Sequence, residues 1–290
     1  MISPSFKKGF SWLGTALAFT GVFFVGIRLQ EYGTQIDVAH FNSAKWLVIA
    51  AFCVIYGFAN LLLALAWWSL LDWFGLSVSR GWAIKTYGIT QLAKYTPGNI
   101  FHLAGRQAMG MAANLPGWPL AKSALWELGL IALAAGLFGF LALPGLIPVV
   151  PANWAPLVFT CAVGSVALAV WRFWGEQVVK AFGRYCGFLA VSGLLFAALI
   201  DLVNDNPDNL PLIHIAGAYV LAWLAGLITP GAPAGAGVRE LALLFLLDGV
   251  VSQADLLLAV LLSRAITVTG DLGFFGLASL WKRKVSGELS

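Results

Sequence analysis

Thr229-Pro230-Gly231-Ala232-Pro233-Ala234-Gly235-Ala236-Gly237-Val238-Arg239-Glu240 interrupts an apolar stretch that runs from residue 212 to residue 250. Proline lacks the backbone N–H and clashes with the preceding turn, so no regular helix continues through this segment. Its glycines open backbone conformations that other residues avoid. A shorter break, Tyr95-Thr96-Pro97-Gly98, divides residues 80–113 in the same way. In lipid a broken backbone strands its amides, so it persists only where it is buried in protein or lines a wet cavity.

The surrounding composition puts both breaks in a membrane. Of 290 residues, 60% are hydrophobic and 10% charged, and the mean hydropathy is +0.86. A soluble domain is nearer half apolar and a quarter charged. This balance excludes a soluble globule, a disordered chain, a nucleic-acid binder and a disulfide-stapled secreted domain. Cys53, Cys161 and Cys186 lie in apolar runs without paired spacing, so they are read as packing residues rather than a metal site or disulfide.

Apolar runs at 10–29, 46–71, 123–143, 154–174, 185–203 and 256–281 are each long enough to cross. Run 10–29 is too long for a signal-peptide core and is read as the first span. The expected fold is therefore all-α: a polytopic membrane helical bundle forming a single transmembrane domain over 1–290. It has six full spans plus two broken, re-entrant hairpins, or eight spans, since run 212–229 is long enough to cross alone. With the N-terminus inside, Lys7, Lys8, Arg80, Lys85, Lys94, Lys122, Arg172, Lys180, Arg184, Lys282, Arg283 and Lys284 all fall on the cytoplasmic side. Glu31, Asp37, Asp201, Asp205, Asp208 and Asp255 fall outside. This bias predicts cytoplasmic N- and C-termini in the inner membrane.

The order is span, span, broken hairpin, span, stated twice. Three crossings per half make the second half (about 146–290) inverted relative to the first (about 1–145), as in many transporters. Thr96-Pro97-Gly98 precedes Arg106, and Thr229-Pro230-Gly231 precedes Arg239, each threonine ten residues before its arginine. The offset of 133 residues also carries span 123–143 onto 256–276.

A few charges are not explained by topology. Arg106 and Arg239-Glu240 follow the breaks, Glu127 lies one turn into its span, and Arg264 and Asp271 share a face of the last span. Intramembrane ionisable residues face protein, a partner or water. Two arginines near helix N-termini suit an anion, because free N–H groups and the helix dipole favour negative charge and guanidinium forks match phosphate. Glu127 and Glu240 are expected to pair with the arginines in the empty state or to carry protons. A purely structural pairing, such as Arg239 or Arg264 with Glu127, is the competing reading. His102 and His214 read as packed or interfacial residues, and Asn60 as an interhelical hydrogen-bonding group. The chain has no phosphate-loop, dinucleotide, His-Glu-x-x-His or Gly-x-Ser-x-Gly motif. No cofactor, metal or enzymatic activity is therefore expected.

Lys94-Tyr95-Thr96-Pro97-Gly98 leading to Gly105-Arg106, and Gly235-Ala236-Gly237-Val238-Arg239-Glu240 before a leucine run, resemble the lysylphosphatidylglycerol synthase transmembrane-region family of flippase-like membrane proteins. Arg264 in the final span also fits. The family's second motif aligns best with Pro233-Ala234-Gly235-Ala236-Gly237-Val238-Arg239-Glu240, with Ala234 in place of a glycine. That register competes with the Pro230-Gly231 repeat match. The chain lacks the aminoacyl-transferase domain of fused members, so lipid aminoacylation is not implied.

The resemblance implies translocation of a lipid with a polar head, either a polyprenyl-phosphate sugar or an aminoacylated phospholipid. The implied substrate site comprises Arg106, Arg239, Glu240, Glu127 and Arg264, with Tyr95, Pro97, Gly98, Gly235 and Gly237 of the breaks. Glu127, Glu240 and Asp271 are the candidates for coupling. The expected partners are the membrane lipid itself and an envelope glycosyltransferase or lipid-modifying enzyme. The alternatives are a small-solute secondary transporter, an intramembrane enzyme acting on lipid phosphate, and a non-catalytic membrane partner of such a glycosyltransferase.

Overall fold

A computed structural model describes residues 42–96, 100–146, 151–204, 210–229, 235 and 237–280. The expected first span at 10–29, Pro97, Gly98 and the terminal lysines and arginine lie outside the described residues. Those residues are helical throughout apart from short connections, with no strand among them.

The helices are α1 (Ser43–Trp73), α2 (Arg80–Gln91), α3 (Phe101–Ala112), α4 (Gly117–Leu137), α5 (Gly139–Leu146), α6 (Ala155–Trp174), α7 (Glu176–Val203), α8 (Leu212–Ile228), α9 (Val238–Leu246) and α10 (Gln253–Leu280). Five helical segments are long and apolar enough to cross a membrane: α1, Gly117–Gly145 (α4 with α5), α6, α7 and α10. These are the five expected spans that lie within the described residues. The chain is thus an all-α, multi-pass membrane protein by the length and composition of its helices. α8 has 17 residues, about 26 Å of helix against a hydrocarbon core of about 30 Å.

Local chemistry sets the boundaries. The Asn42 side chain accepts from Lys45 N at 2.9 Å and starts α1. Ser79 Oγ accepts from Trp82 N at 3.2 Å and starts α2. These caps each satisfy an amide that the first helical turn leaves free. Gly175, at φ +86°, separates α6 from α7 in a conformation that disfavours any side chain. Thr96 and Thr229 end the helical segments before the two breaks. Both are extended, with φ/ψ of −70°/140° and −84°/113°. Each precedes a proline, whose ring pushes the residue before it out of the helical region.

α1 and α7 pack against each other at the centre of the bundle. α2 and α10 flank α1, while α8 flanks α7 and also packs on α5. Small residues allow these approaches, as expected where helices associate in lipid without a hydrophobic drive. A Cβ at Gly270 of α10 would lie 2.8 Å from the Cys53 carbonyl oxygen and 3.0 Å from Gly57 N, both backbone atoms of α1. Gly270→Ala is therefore expected to push α10 from α1 and cost about 1–3 kcal/mol, the usual penalty of overpacking. Thermal unfolding in detergent checks this, and an unchanged midpoint would contradict the packing described.

Candidate functional site

Residues flanking the two breaks and the central helices enclose a cavity of about 110 Å³. That is room for several waters or a phosphate group. Its polar wall includes Gln91, Lys94, Tyr95 and His102 from the first broken segment, Glu127 from α4, and Arg239 and Arg264 from the second half. Its apolar wall includes Leu128 and Ile131 of α4 and Trp223 and Leu227 of α8.

Three ion pairs surround this space. Arg106 Nη1 donates to Glu127 Oε2 at 2.6 Å, and Tyr87 OH donates to Glu127 Oε1 at 3.0 Å. Arg264 donates from Nε at 2.9 Å and from Nη2 at 2.7 Å to Glu240 Oε1. Lys94 Nζ lies 2.7 Å from Asp271 Oδ2. Asp271 also accepts from Tyr95 OH at 2.6 Å and from Asn60 Nδ2 at 3.1 Å, and Gln91 Nε2 donates to Asn60 Oδ1 at 3.1 Å. The competing pairing of Glu127 with Arg239 or Arg264 is not found. Arg106 takes Glu127 instead, because α3 packs on α4 and brings them together.

Arg239 differs from the other three cations. It is 6% exposed, lines the cavity and has no carboxylate partner among the described residues. Its Nη2 has no hydrogen-bond partner. Its guanidinium stacks 4.1 Å from the Tyr219 ring centroid. Arg106 likewise stacks 4.3 Å from Tyr87 and 5.2 Å from Trp67, with its own Nη2 unpartnered. Cation–π contact offsets part of the cost of burying a guanidinium but leaves its N–H donors available. Among the described residues, four cations against three carboxylates leave one positive charge at the site.

The glycines of the second break have distinct roles. Gly235, at φ +72°, packs so closely on Gly226 that a Cβ would sit 2.9 Å from the Gly226 Cα. Its carbonyl accepts from Arg264 Nη2 at 3.3 Å. Gly237, at φ +85°, donates its N–H to Glu240 Oε2 at 2.7 Å. The Glu240 carboxylate thus lies at the N-terminus of α9, capping the Gly237 amide, while Arg239 of the same turn lines the cavity.

Of the expected site residues, Arg106, Glu127, Arg239, Glu240, Arg264, Tyr95, Gly235 and Asp271 gather within one connected region, with Gly237 at its edge. Pro97 and Gly98 lie outside the described residues. Sequence reasoning missed Tyr87, Tyr219 and Lys94. The two tyrosines are one residue out of register with the 133-residue offset, Tyr87 lying nineteen residues before Arg106 and Tyr219 twenty before Arg239, so the repeat did not expose them. Lys94, counted above as a cytoplasmic marker, is turned inward by the 3-10 turn Leu92–Tyr95, and its side chain is 18% exposed. His214 is buried and His102 half-buried on the cavity wall, with His102 Nδ1 and both His214 ring nitrogens lacking hydrogen-bond partners.

Fold and site define the class: a multi-pass α-helical membrane protein with an ion-paired, net-positive cavity at its centre. No protein-family model matches the chain, and no curated protein matches it.

Proposed function

We propose that the protein is a translocase of the cytoplasmic membrane that carries the anionic, phosphate-bearing head of a lipid through its central cavity while the tail stays in the bilayer. One observation carries this reading: Arg239, buried and facing the cavity, has an unpartnered Nη2 and no carboxylate partner among the described residues, whereas each neighbouring cation is paired. Holding an uncompensated cation away from water costs several kcal/mol. A site that bears this cost is built for a ligand that removes it.

Two further features support the reading. The cavity is amphipathic, with Leu128, Ile131, Trp223 and Leu227 beside the charged wall, as a head attached to a hydrocarbon tail requires and a free solute does not. The halves also correspond. An offset of 133 residues carries α1 onto α7, α2 onto α8, α3 onto α9, and α4 with α5 onto α10. In each half a tyrosine before the break stacks under an arginine after it. In each half a charge on the post-break helix pairs with the next helix, Arg106 with Glu127 and Glu240 with Arg264. Two inverted halves around one site give alternating exposure to the two leaflets by rocking of one half against the other. The net positive charge favours a polyprenyl-phosphate type of head over an aminoacylated one, whose ammonium would face Arg239.

The test is leaflet exchange of a fluorescent lipid phosphate in liposomes containing the purified protein. Exchange is expected in the wild type and strongly reduced in the Arg239→Ala variant, which keeps all three ion pairs of the site. Equal exchange in the two would sink the assignment.

A further inference from the structure

We infer that Lys94 and Asp271 form an exchangeable pair, through which the site takes a dianionic phosphate head, a phosphate monoester or diphosphate, together with one proton. This rests on the reading of the cavity as an anion site and names the ligand's charge.

The three ion pairs are not equally fixed. Arg264 gives two donors to Glu240, which is itself anchored on Gly237 N. Arg106 is held on Glu127 and between two aromatic rings. Lys94 is a compact charge on a flexible four-carbon stem, able to turn without breaking a planar fork. It is partly exposed, and it lines the cavity while its partner Asp271 does not.

A monoanionic head needs only Arg239 to be neutralised. A dianionic head needs a second free cation, and Lys94 is the cavity-lining cation whose release disrupts least. When Lys94 turns to the phosphate, Asp271 keeps two donors, Tyr95 OH and Asn60 Nδ2. It is fully buried, and its surroundings are otherwise neutral. Tyr56 and Asn60 face it from α1, and Tyr87 and Gln91 stand nearby on α2. The turn after α2 supplies Tyr95, and Arg264, seven residues back on α10, is committed to Glu240. A bare carboxylate there is relieved by taking a proton from bulk solution, relayed through water in the cavity, onto Oδ2. The Tyr95 hydroxyl then rotates to accept from it, as a phenol can. Lys94 keeps its own proton, so one dianion and one proton enter together and the site goes from +1 to neutral. The pair thus ties anion entry to proton uptake.

The test uses the purified full-length protein and two soluble probes, hexyl phosphate (dianionic at pH 8) and hexyl methyl phosphate (monoanionic). Calorimetry in two buffers of different ionisation enthalpy counts the protons taken up. In the wild type, hexyl phosphate is expected to bind with uptake of about one proton, so its affinity falls about tenfold per pH unit as pH rises. Hexyl methyl phosphate is expected to bind with none. Lys94→Ala should weaken hexyl phosphate about 10- to 100-fold, the worth of a charged hydrogen bond, and leave hexyl methyl phosphate unchanged. Asp271→Asn, which keeps the shape and one acceptor, should abolish the proton uptake and retain hexyl phosphate binding. It also guards against a misfolded Lys94 variant.

Proton uptake that persists in Asp271→Asn, or a wild type that binds both probes equally without uptake, overturns this inference and leaves the anion site standing. Binding of neither probe overturns both.

Discussion

Arg239→Ala is expected to weaken binding of a phosphate head by about 30- to 5,000-fold, while leaving the protein as stable as the wild type or more so. The size follows from truncating a buried charge that meets its counter-charge only in the ligand, about 2–5 kcal/mol. The sign on stability follows from the empty state. Arg239 has an unpartnered Nη2 and no carboxylate, so its removal ends a desolvation cost rather than a bond. What is lost is the stacking on Tyr219, worth about 1 kcal/mol. Binding of hexyl phosphate together with thermal unfolding checks both signs. A variant that binds normally, or one that unfolds several kcal/mol earlier, would show that Arg239 is a structural residue.

Arg106→Ala is expected to behave in the opposite way and to destabilise the protein by about 3–5 kcal/mol. It removes one partner of a buried ion pair and leaves Glu127 as an uncompensated charge. Tyr87 OH, which donates to Glu127 Oε1, is too weak a substitute for a guanidinium. The double variant Arg106→Ala, Glu127→Ala should recover most of that loss, because replacing both members of a buried pair is far less costly than replacing one. A double-mutant cycle by unfolding in detergent measures the coupling. Additive losses would mean that the pair does not interact as the geometry indicates. The contrast between Arg239 and Arg106 separates the two possible roles of a buried arginine, holding the fold and holding a ligand.

Much of the architecture was legible because a bilayer leaves few options. Runs 46–71, 154–174 and 256–281 match helices to within three residues, whereas α4 begins six residues before run 123–143 and α7 nine residues before run 185–203. The breaks were legible because Pro97 and Pro230 dictate the conformation of Thr96 and Thr229. The pairing of charges was not, since it depends on the rotation of each helix about its axis, which uniformly apolar spans do not encode. Pairing of Glu127 with one of the arginines was expected, but which one was left open, and the packing of α3 on α4 selects Arg106. The cap at the start of α9 has a sequence signature, since Glu240 stands three residues after Gly237, the spacing at which a glutamate returns to cap its own helix. Lys94 was hidden by the positive-inside pattern, which accounts for a lysine at a span edge without asking where its stem points.

The central claim is that a phosphate head passes through the cavity and that the cavity opens in turn to each side. Cysteine accessibility at Leu227, which lines the cavity, tests it most directly. In a background with Cys53, Cys161 and Cys186 replaced by alanine, Leu227→Cys is reconstituted in one orientation and exposed to a membrane-impermeant thiol reagent from either side. The account predicts labelling from both sides, protection by hexyl phosphate, and loss of lipid exchange once labelled. Labelling from neither side or from one side only, with lipid exchange intact, would contradict it.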